Sequence, residues 1–456
     1  MLQLIAGAVD DRSARGLAAA VSRLITAGSL PAGTRLPTVR DVARELGVSP
    51  TTVSEAWSSL ARAGAIETRG RSGTFVTSPT RPLRYARLGG APLPGATNDL
   101  STGVPDHDLL PSLTGALKRI GDGRLTTSYL DAPVLPQLEA ALRARWPFPP
   151  EQLTVVDGAL DALDRVTGAV VRFGDHVLVE NPAFPPMLDL LEVVGATVVG
   201  VPVTESGLSV TGLAAALADC SPTALFLQPR AHNPTGESMS AERAAALAEV
   251  LAGRPGVTIV EDDHAGDIAS APAVSLGTWL PERTVHVSSF SKSHGPDLRL
   301  AAIGGPASVV SAVADRRLLG PGWSSRILQA VLVDLLADPA AAGQVAAARG
   351  EYGRRREALL AALAQRGVTA TAADGINLWL TVENEPVAML RLAAHGIAVA
   401  PGTPFEVSQL DGAHVRVTVG LVRDGFDELA DILAEAAGAQ SRGGGTRARA
   451  HPRGWR

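Results

Sequence analysis

The sequence predicts two folded parts of different class: a small helix-turn-helix front domain with a β-hairpin, then a large α/β domain with a mainly parallel central sheet. Three observations predict this. Short helical periods in the first 63 residues are broken at Gly47-Val48-Ser49. Beyond Asn98, β-rich runs alternate with Ala- and Leu-rich helical stretches, the pattern of strands joined by crossover helices. Charge divides along the same line. Residues 1–80 hold nine arginines against six acids, and 81–97 add three more arginines, while 98–440 carry a net charge of -16 within an overall -5. An acidic body with a basic front suits a nucleic-acid reader joined to a ligand domain, and equally a charge-mixed surface.

A chain of 456 residues suggests two or three domains. Its apolar runs are too short or too interrupted to span a bilayer. The start, Met1-Leu2-Gln3-Leu4-Ile5, has no secretory pattern, so the expected location is cytoplasmic. The single cysteine, Cys220, excludes an internal disulfide and a cysteine-built zinc site, and no metal is expected.

In the front domain, Leu17, Val21, Leu24 and Ile25 repeat with helical spacing over residues 13–27. Thr38 is placed to cap a helix running to Leu46 with Val39, Val42, Ala43 and Leu46 inward. Gly47 ends it, and Ser49 caps the next helix, whose stripe is Val53, Trp57 and Leu60. Glu67-Thr68-Arg69 and Thr74-Phe75-Val76 flank Gly70-Arg71-Ser72-Gly73 as a hairpin. The expected domain is 1–78. Residues 79–97, with four prolines and three glycines, form a linker. The expected large domain is 98–438, and 439–456 is a disordered basic tail.

Leu36-Pro37-Thr38-Val39-Arg40, Leu46-Gly47-Val48-Ser49 through Val53, and Gly70 to Val76 resemble the GntR family of bacterial regulators, whose reader is a winged helix-turn-helix. The resemblance implies operator DNA contacts by Arg40, Ser49, Thr51, Thr52, Arg69, Arg71 and Gly73. Pro50 stands where the family usually has arginine. It favours a helix start but supplies no charge.

In the large domain, six runs read as strands: Leu153–Val156, Val177–Val179, Ala196–Val199, Ala224–Leu227, Val257–Val260 and Thr284–Ser288. Polar residues follow them, where ligands collect in such sheets. Asp157-Gly158-Ala159 opens a helix and frees backbone amides for a phosphate, although a plain turn is the commoner meaning of such a motif. Phe184, after Glu180-Asn181-Pro182, suits stacking on a ring; by itself it reads more readily as core.

Lysine is the informative residue. Of 41 basic residues two are lysine, Lys118 and Lys292. Arginine stays protonated and forms no imine with an aldehyde, whereas a lysine amine does once it loses its proton. Lys292 lies in Ser289-Phe290-Ser291-Lys292, seven residues before Arg299. This arrangement suits pyridoxal 5'-phosphate (PLP), a phosphorylated aldehyde.

In order, these motifs, with Asn233-Pro234-Thr235-Gly236 and Glu261-Asp262-Asp263-His264, resemble fold-type I aminotransferases from about 98 to 437. By that resemblance Lys292 bonds the cofactor aldehyde and Asp262 pairs with the ring nitrogen. Asn233 addresses the ring oxygen. Ser289, Arg299, Gly158 and Ala159 hold the phosphate, Phe184 stacks, and Tyr129 reaches a partner subunit's phosphate. Arg416 clamps an effector carboxylate. His264 stands where the family usually has tyrosine and is expected to donate to the ring oxygen. Val134, Glu139 and Asp297 replace an expected glycine, arginine and glycine.

A GntR-like reader joined to such a domain resembles the MocR-type regulators. That implies a head-to-tail homodimer, each reader over the partner's large domain, that senses an amino acid, an amine or PLP itself. A catalytic aminotransferase carrying a tether, and a binding module without amine chemistry, stay open beside it. Complete Lys292, Asp262 and Arg416 argue against the last.

Overall fold

The computed structural model describes residues 1–62, 65–68, 73–77, 97–120, 128 and 131–438. Tyr129, Arg69, Arg71, the expected linker and the expected tail therefore fall wholly or almost wholly outside the described residues.

The front domain forms helices Leu2–Ala8, Ala14–Thr26, Val39–Leu46 and Pro50–Arg62, followed by strands Ile66–Thr68 and Thr74–Val76. Local chemistry sets the expected boundaries. The Thr38 hydroxyl accepts from the Asp41 amide at 3.2 Å and donates to the Asp41 carboxylate at 2.6 Å. Gly47 ends that helix at φ +66°, a left-handed conformation that disfavours a Cβ. Ser49 accepts from the Thr52 amide at 3.1 Å, and Pro50 sits at the first helical position, where its missing N–H leaves nothing unpaired. The strands pair antiparallel with Ile66 opposite Val76. Leu17, Val21, Val42, Leu46, Val53, Leu60, Ile66 and Val76 form one core.

Helix Leu2–Ala8 was not foreseen. It has seven residues and no side-chain cap, too little to stand alone, and burial of Ile5 in the same core holds it.

The large domain is built on an eight-stranded sheet. Its spatial order is Gln152–Val156, Ala301–Gly305, Thr284–Ser289, Thr258–Asp263, Pro222–Leu227, His176–Asn181, Thr197–Thr204 and Gly207–Leu208. All six expected runs are strands. The four pairings from Thr284–Ser289 across to Thr197–Thr204 are parallel. Ala301–Gly305 runs antiparallel to both neighbours. That strand was missed because Ala301-Ala302-Ile303-Gly304-Gly305 carries little β signal. Packing demands the small residues: a Cβ on Gly304 would meet the Trp146 indole at 2.7 Å, and one on Gly305 the Thr284 carbonyl at 2.5 Å. A second sheet of Ala370–Thr371, Leu378–Val382, Ala413–Val417 and Ala400–Pro401 packs with helix Phe426–Ala437.

The reader touches its own large domain. Phe173 packs against the reader core, and Arg15 pairs with Asp175 at 2.8 Å. Among the described residues no single helix is long and apolar enough to cross a membrane.

Leu60 is fully buried in the reader core. Leu60→Ala should destabilise the reader by about 2–5 kcal/mol, the usual cost of such a cavity. In a thermal melt the reader transition should fall while that of the large domain stays in place.

Candidate cofactor and effector site

The site lies at the carboxyl ends of the parallel strands, where the polar residues expected to act together converge. Asp262, at the end of Thr258–Asp263, is buried. Its Oδ2 accepts from Gln228 Nε2 at 2.8 Å, while Oδ1 is buried with no partner among the described residues. Burial, above all, pushes this carboxyl up to about 6. Leaving such an atom bare is costly. A protonated pyridine nitrogen would satisfy it. Phe184 and Asp262 line one small cavity with Gln228 and Glu180. Phe184 also precedes helix Pro185–Val193 and packs on the core, so both of its expected roles are compatible with its place.

Of the residues expected to hold a phosphate, Gly158, Ala159 and Arg299 lie together. Gly158 has φ +98° and leads into helix Ala159–Val170 with no side-chain cap, which leaves the helix amides without a capping side chain. A Cβ on Gly158 would lie 3.0 Å from the Arg299 guanidinium. Arg299, itself left-handed at φ +48°, donates to the Asp157 carbonyl at 3.0 Å. A helix N-terminus beside an arginine is a strong anion site. Ser289 is buried at the end of Thr284–Ser289 and accepts from the Ser291 amide at 3.4 Å.

Lys292 is half-buried, and its Nζ contacts His264 Nδ1. Burial lowers the lysine to about 8, opposed by the Asp262 charge, so a neutral amine is accessible near neutral pH. The His264 Nε2 lies 3.0 Å from the Ala231 carbonyl, and burial holds the ring well below its ordinary proton affinity. Asn233 Oδ1 accepts from Arg416 at 3.2 Å and from Asn377 at 3.4 Å. Arg416 is buried, donates also to the Ser101 carbonyl, and its Nε has no partner among the described residues. Burial lowers Arg416 to about 10.

Sequence reading missed Gln228, which joins two parts of the site. Its amide nitrogen holds Asp262, and its oxygen accepts from the Asn233 amide at 2.8 Å. A glutamine after a strand carries no signal of this kind; three-dimensional proximity alone reveals it. Two of the departures have structural roles, and the third lies at the surface. Val134 is core with Leu138 and Leu142, Glu139 pairs with Arg143 at 2.9 Å, and Asp297 is exposed. Lys118 is exposed on helix Thr114–Ile120.

In the reader, Arg40, Ser49 and Thr51 are exposed and Thr52 is half-buried, with its hydroxyl 2.8 Å from that of Ser49. Gly73 has φ +106°, and a Cβ there would lie 2.8 Å from Arg35 Nε. Arg35, an exposed cation missed in the sequence, therefore lies against the wing.

These features define a PLP-type large domain carrying a helix-turn-helix reader. Residues 97–433 match the family model for aminotransferase class I and II, and residues 13–76 that for bacterial regulatory proteins of the gntR family. The chain belongs to the aminotransferase class I and II family, with a GntR-family reader at its front, the layout of MocR-like regulators. It is 34% identical over 440 residues to the vitamin B6 salvage pathway transcriptional repressor PtsJ of Salmonella typhimurium, covering 95% of this chain and 100% of that protein. It is 28% identical to the probable rhizopine catabolism regulatory protein MocR of Rhizobium meliloti, covering 86% of this chain and 83% of the other. The fold resembles LysN, the Thermus thermophilus α-aminoadipate aminotransferase, at TM-score 0.69 and 22% identity over 77% of this chain and 96% of that one.

Asp262 yields a pH prediction. Its folded proton affinity lies above the ordinary 3.8, so the folded chain binds the extra proton and loses stability as pH rises from about 4 to about 6. At about 1.4 kcal/mol per tenfold change in affinity, the loss approaches about 3 kcal/mol. Asp262→Asn should flatten that slope in denaturant titrations of the cofactor-free chain and weaken PLP binding in the loaded one.

Proposed function

We propose that this protein regulates transcription by binding operator DNA through its GntR reader and PLP at Lys292, where an amino acid, an amine or PLP itself is the signal. The observation that carries the reading is one chain that joins a reader to a buried carboxylate with a bare oxygen, an amine of lowered proton affinity and an arginine-lined helix start. The name of the 34%-identical repressor favours vitamin B6 chemistry as part of the signal.

PLP, when bound, supplies an aldehyde that combines with amines and a ring that draws electrons from them. The protein's residues do the rest. Gly158, Ala159, Ser289 and Arg299 bind the phosphate. Asp262, held by Gln228, keeps a proton on the ring nitrogen. Asn233 orients the ring oxygen and Phe184 covers the ring face. Lys292 provides the nitrogen, and Arg416 offers a buried cation to a carboxylate-bearing effector. Tyr129, by the family resemblance, would serve the phosphate of a second copy.

The route to DNA begins at the phosphate. Helix Ala159–Val170 starts at the cradle and ends at the loop holding Phe173 and Asp175, which touch the reader. Its 12 residues span about 18 Å at 1.5 Å per residue. A packed helix moves as a unit, so displacement at the cradle changes the seat of the reader. A head-to-tail homodimer would present two readers to a two-fold operator. Leu318, Leu319 and Ile327, 61%, 81% and 55% exposed, favour a second copy covering the large domain.

Lys292→Ala should abolish the visible absorption of bound PLP and leave the reader folded and able to bind DNA; a retained band would refute the role of Lys292. Removal of residues 1–77 should eliminate operator binding in a gel-shift assay but preserve the band. Phe173→Ala should leave both activities intact while reducing the change in operator affinity that PLP or amine produces.

A further inference from the structure

We propose that His264 is the hydrogen-bond acceptor that holds the Lys292 amine whenever that nitrogen is uncombined, and that it does not donate to the cofactor's ring oxygen. The inference rests on the reading that PLP occupies this site, and it concerns which atom of His264 carries the proton.

The partner of each ring nitrogen decides this. His264 Nε2 lies 3.0 Å from the Ala231 carbonyl oxygen. A carbonyl accepts and never donates, so the proton is on Nε2. That carbonyl is held in place. The Ala231 amide is 2.9 Å from the Ser238 hydroxyl, its φ is +46°, and a Cβ on Gly375 would lie 2.9 Å from the Ala231 Cβ. A second proton, on Nδ1, would place an imidazolium in a buried site beside Lys292 and near Arg230. The ring therefore stays neutral, and Nδ1 presents a lone pair. The atom it meets is Lys292 Nζ, a donor.

The donor to the ring oxygen is then Asn233. Its Oδ1 faces Arg416 Nη1 and Asn377 Nδ2, groups that donate. This turns the Asn233 amide nitrogen to the other side, as the donor end. A tyrosine hydroxyl in place of His264 could both donate and accept. His264, with Nε2 committed to Ala231, can only accept.

A consequence follows for amine exchange. With PLP bound, an incoming amine would take the place of Lys292 on the cofactor's carbon: the carbon–nitrogen double bond to Nζ would give way to one with the incoming nitrogen, and both protons of that amine would end on Nζ. Lys292 is then a free amine in a confined site. Without Nδ1, one of its N–H groups would be left unsatisfied, at a cost comparable to a lost buried hydrogen bond. His264 thus favours release of the lysine, and with it effector binding. It acts as a positioning residue.

Two measurements test this on the full chain. The first is 15N NMR of histidine-labelled, cofactor-free protein at pH 7, with the His264 signal identified by its loss in His264→Gln. The expected signal is the neutral Nε2–H form; an Nδ1–H form or an imidazolium overturns the proposal. The second titrates PLP-loaded protein with methylamine at pH 8 while following the absorption of the bound cofactor. His264→Phe should require about tenfold more methylamine than the native chain, the scale of one lost hydrogen bond, and His264→Gln, which keeps an acceptor, should stay within about twofold. Equal demand in His264→Phe and the native chain overturns the proposal. A native chain that acquires no absorption with PLP overturns the cofactor reading instead, and the NMR result still decides the state of His264.

Discussion

A buried carboxylate with one oxygen paired and the other bare organises the large domain. Asp262 sits at the end of a central parallel strand, where desolvation penalises its charge and Gln228 offers one partial compensation. A cation at the bare oxygen would relieve that penalty. Gln228 extends the same arrangement to the Asn233 backbone, and Asn233 in turn faces Arg416. The ends of two parallel strands and the second sheet are therefore tied together through one chain of polar contacts.

The sheet makes this convergence possible. Its parallel strands send their carboxyl ends to the same edge, so short polar motifs far apart in the chain become neighbours. The antiparallel strand Ala301–Gly305 lies between the first strand and the others, and the turn before it carries Arg299 to Gly158. Close approach there requires a residue without a Cβ at φ +98°. The place of Arg299 beside Gly158 thus depends on the strand order.

The contact between the large domain and the reader also has a simple form. Helix Ala159–Val170 starts at Gly158 and ends shortly before Phe173 and Asp175, which contact the reader. Arg15 is more than half exposed, so the ion pair contributes little energy by itself, and the apolar seat of Phe173 is the stronger part of the contact.

Local chemistry made much of this legible in the sequence. Thr38, Gly47, Ser49 and Pro50 mark helix ends because capping and φ preferences act within a few residues, and six β-rich runs announced six strands. Lys292 stood out because a chain with two lysines keeps one beside Ser-x-Ser. Other features depended on tertiary structure. Ala301–Gly305 became a strand because neighbouring strands pair with it and Trp146 leaves no room for side chains. Leu2–Ala8 became a helix because the reader core receives Ile5. The partners of Gln228 and the orientation of His264 are set by atoms about 30 residues away in the chain, such as Asp262 and Ala231. Residue type established which chemistry was available, and packing across strand ends decided which atom faces which, because hydrogen-bond direction depends on the position of the partner and leaves no trace in sequence spacing.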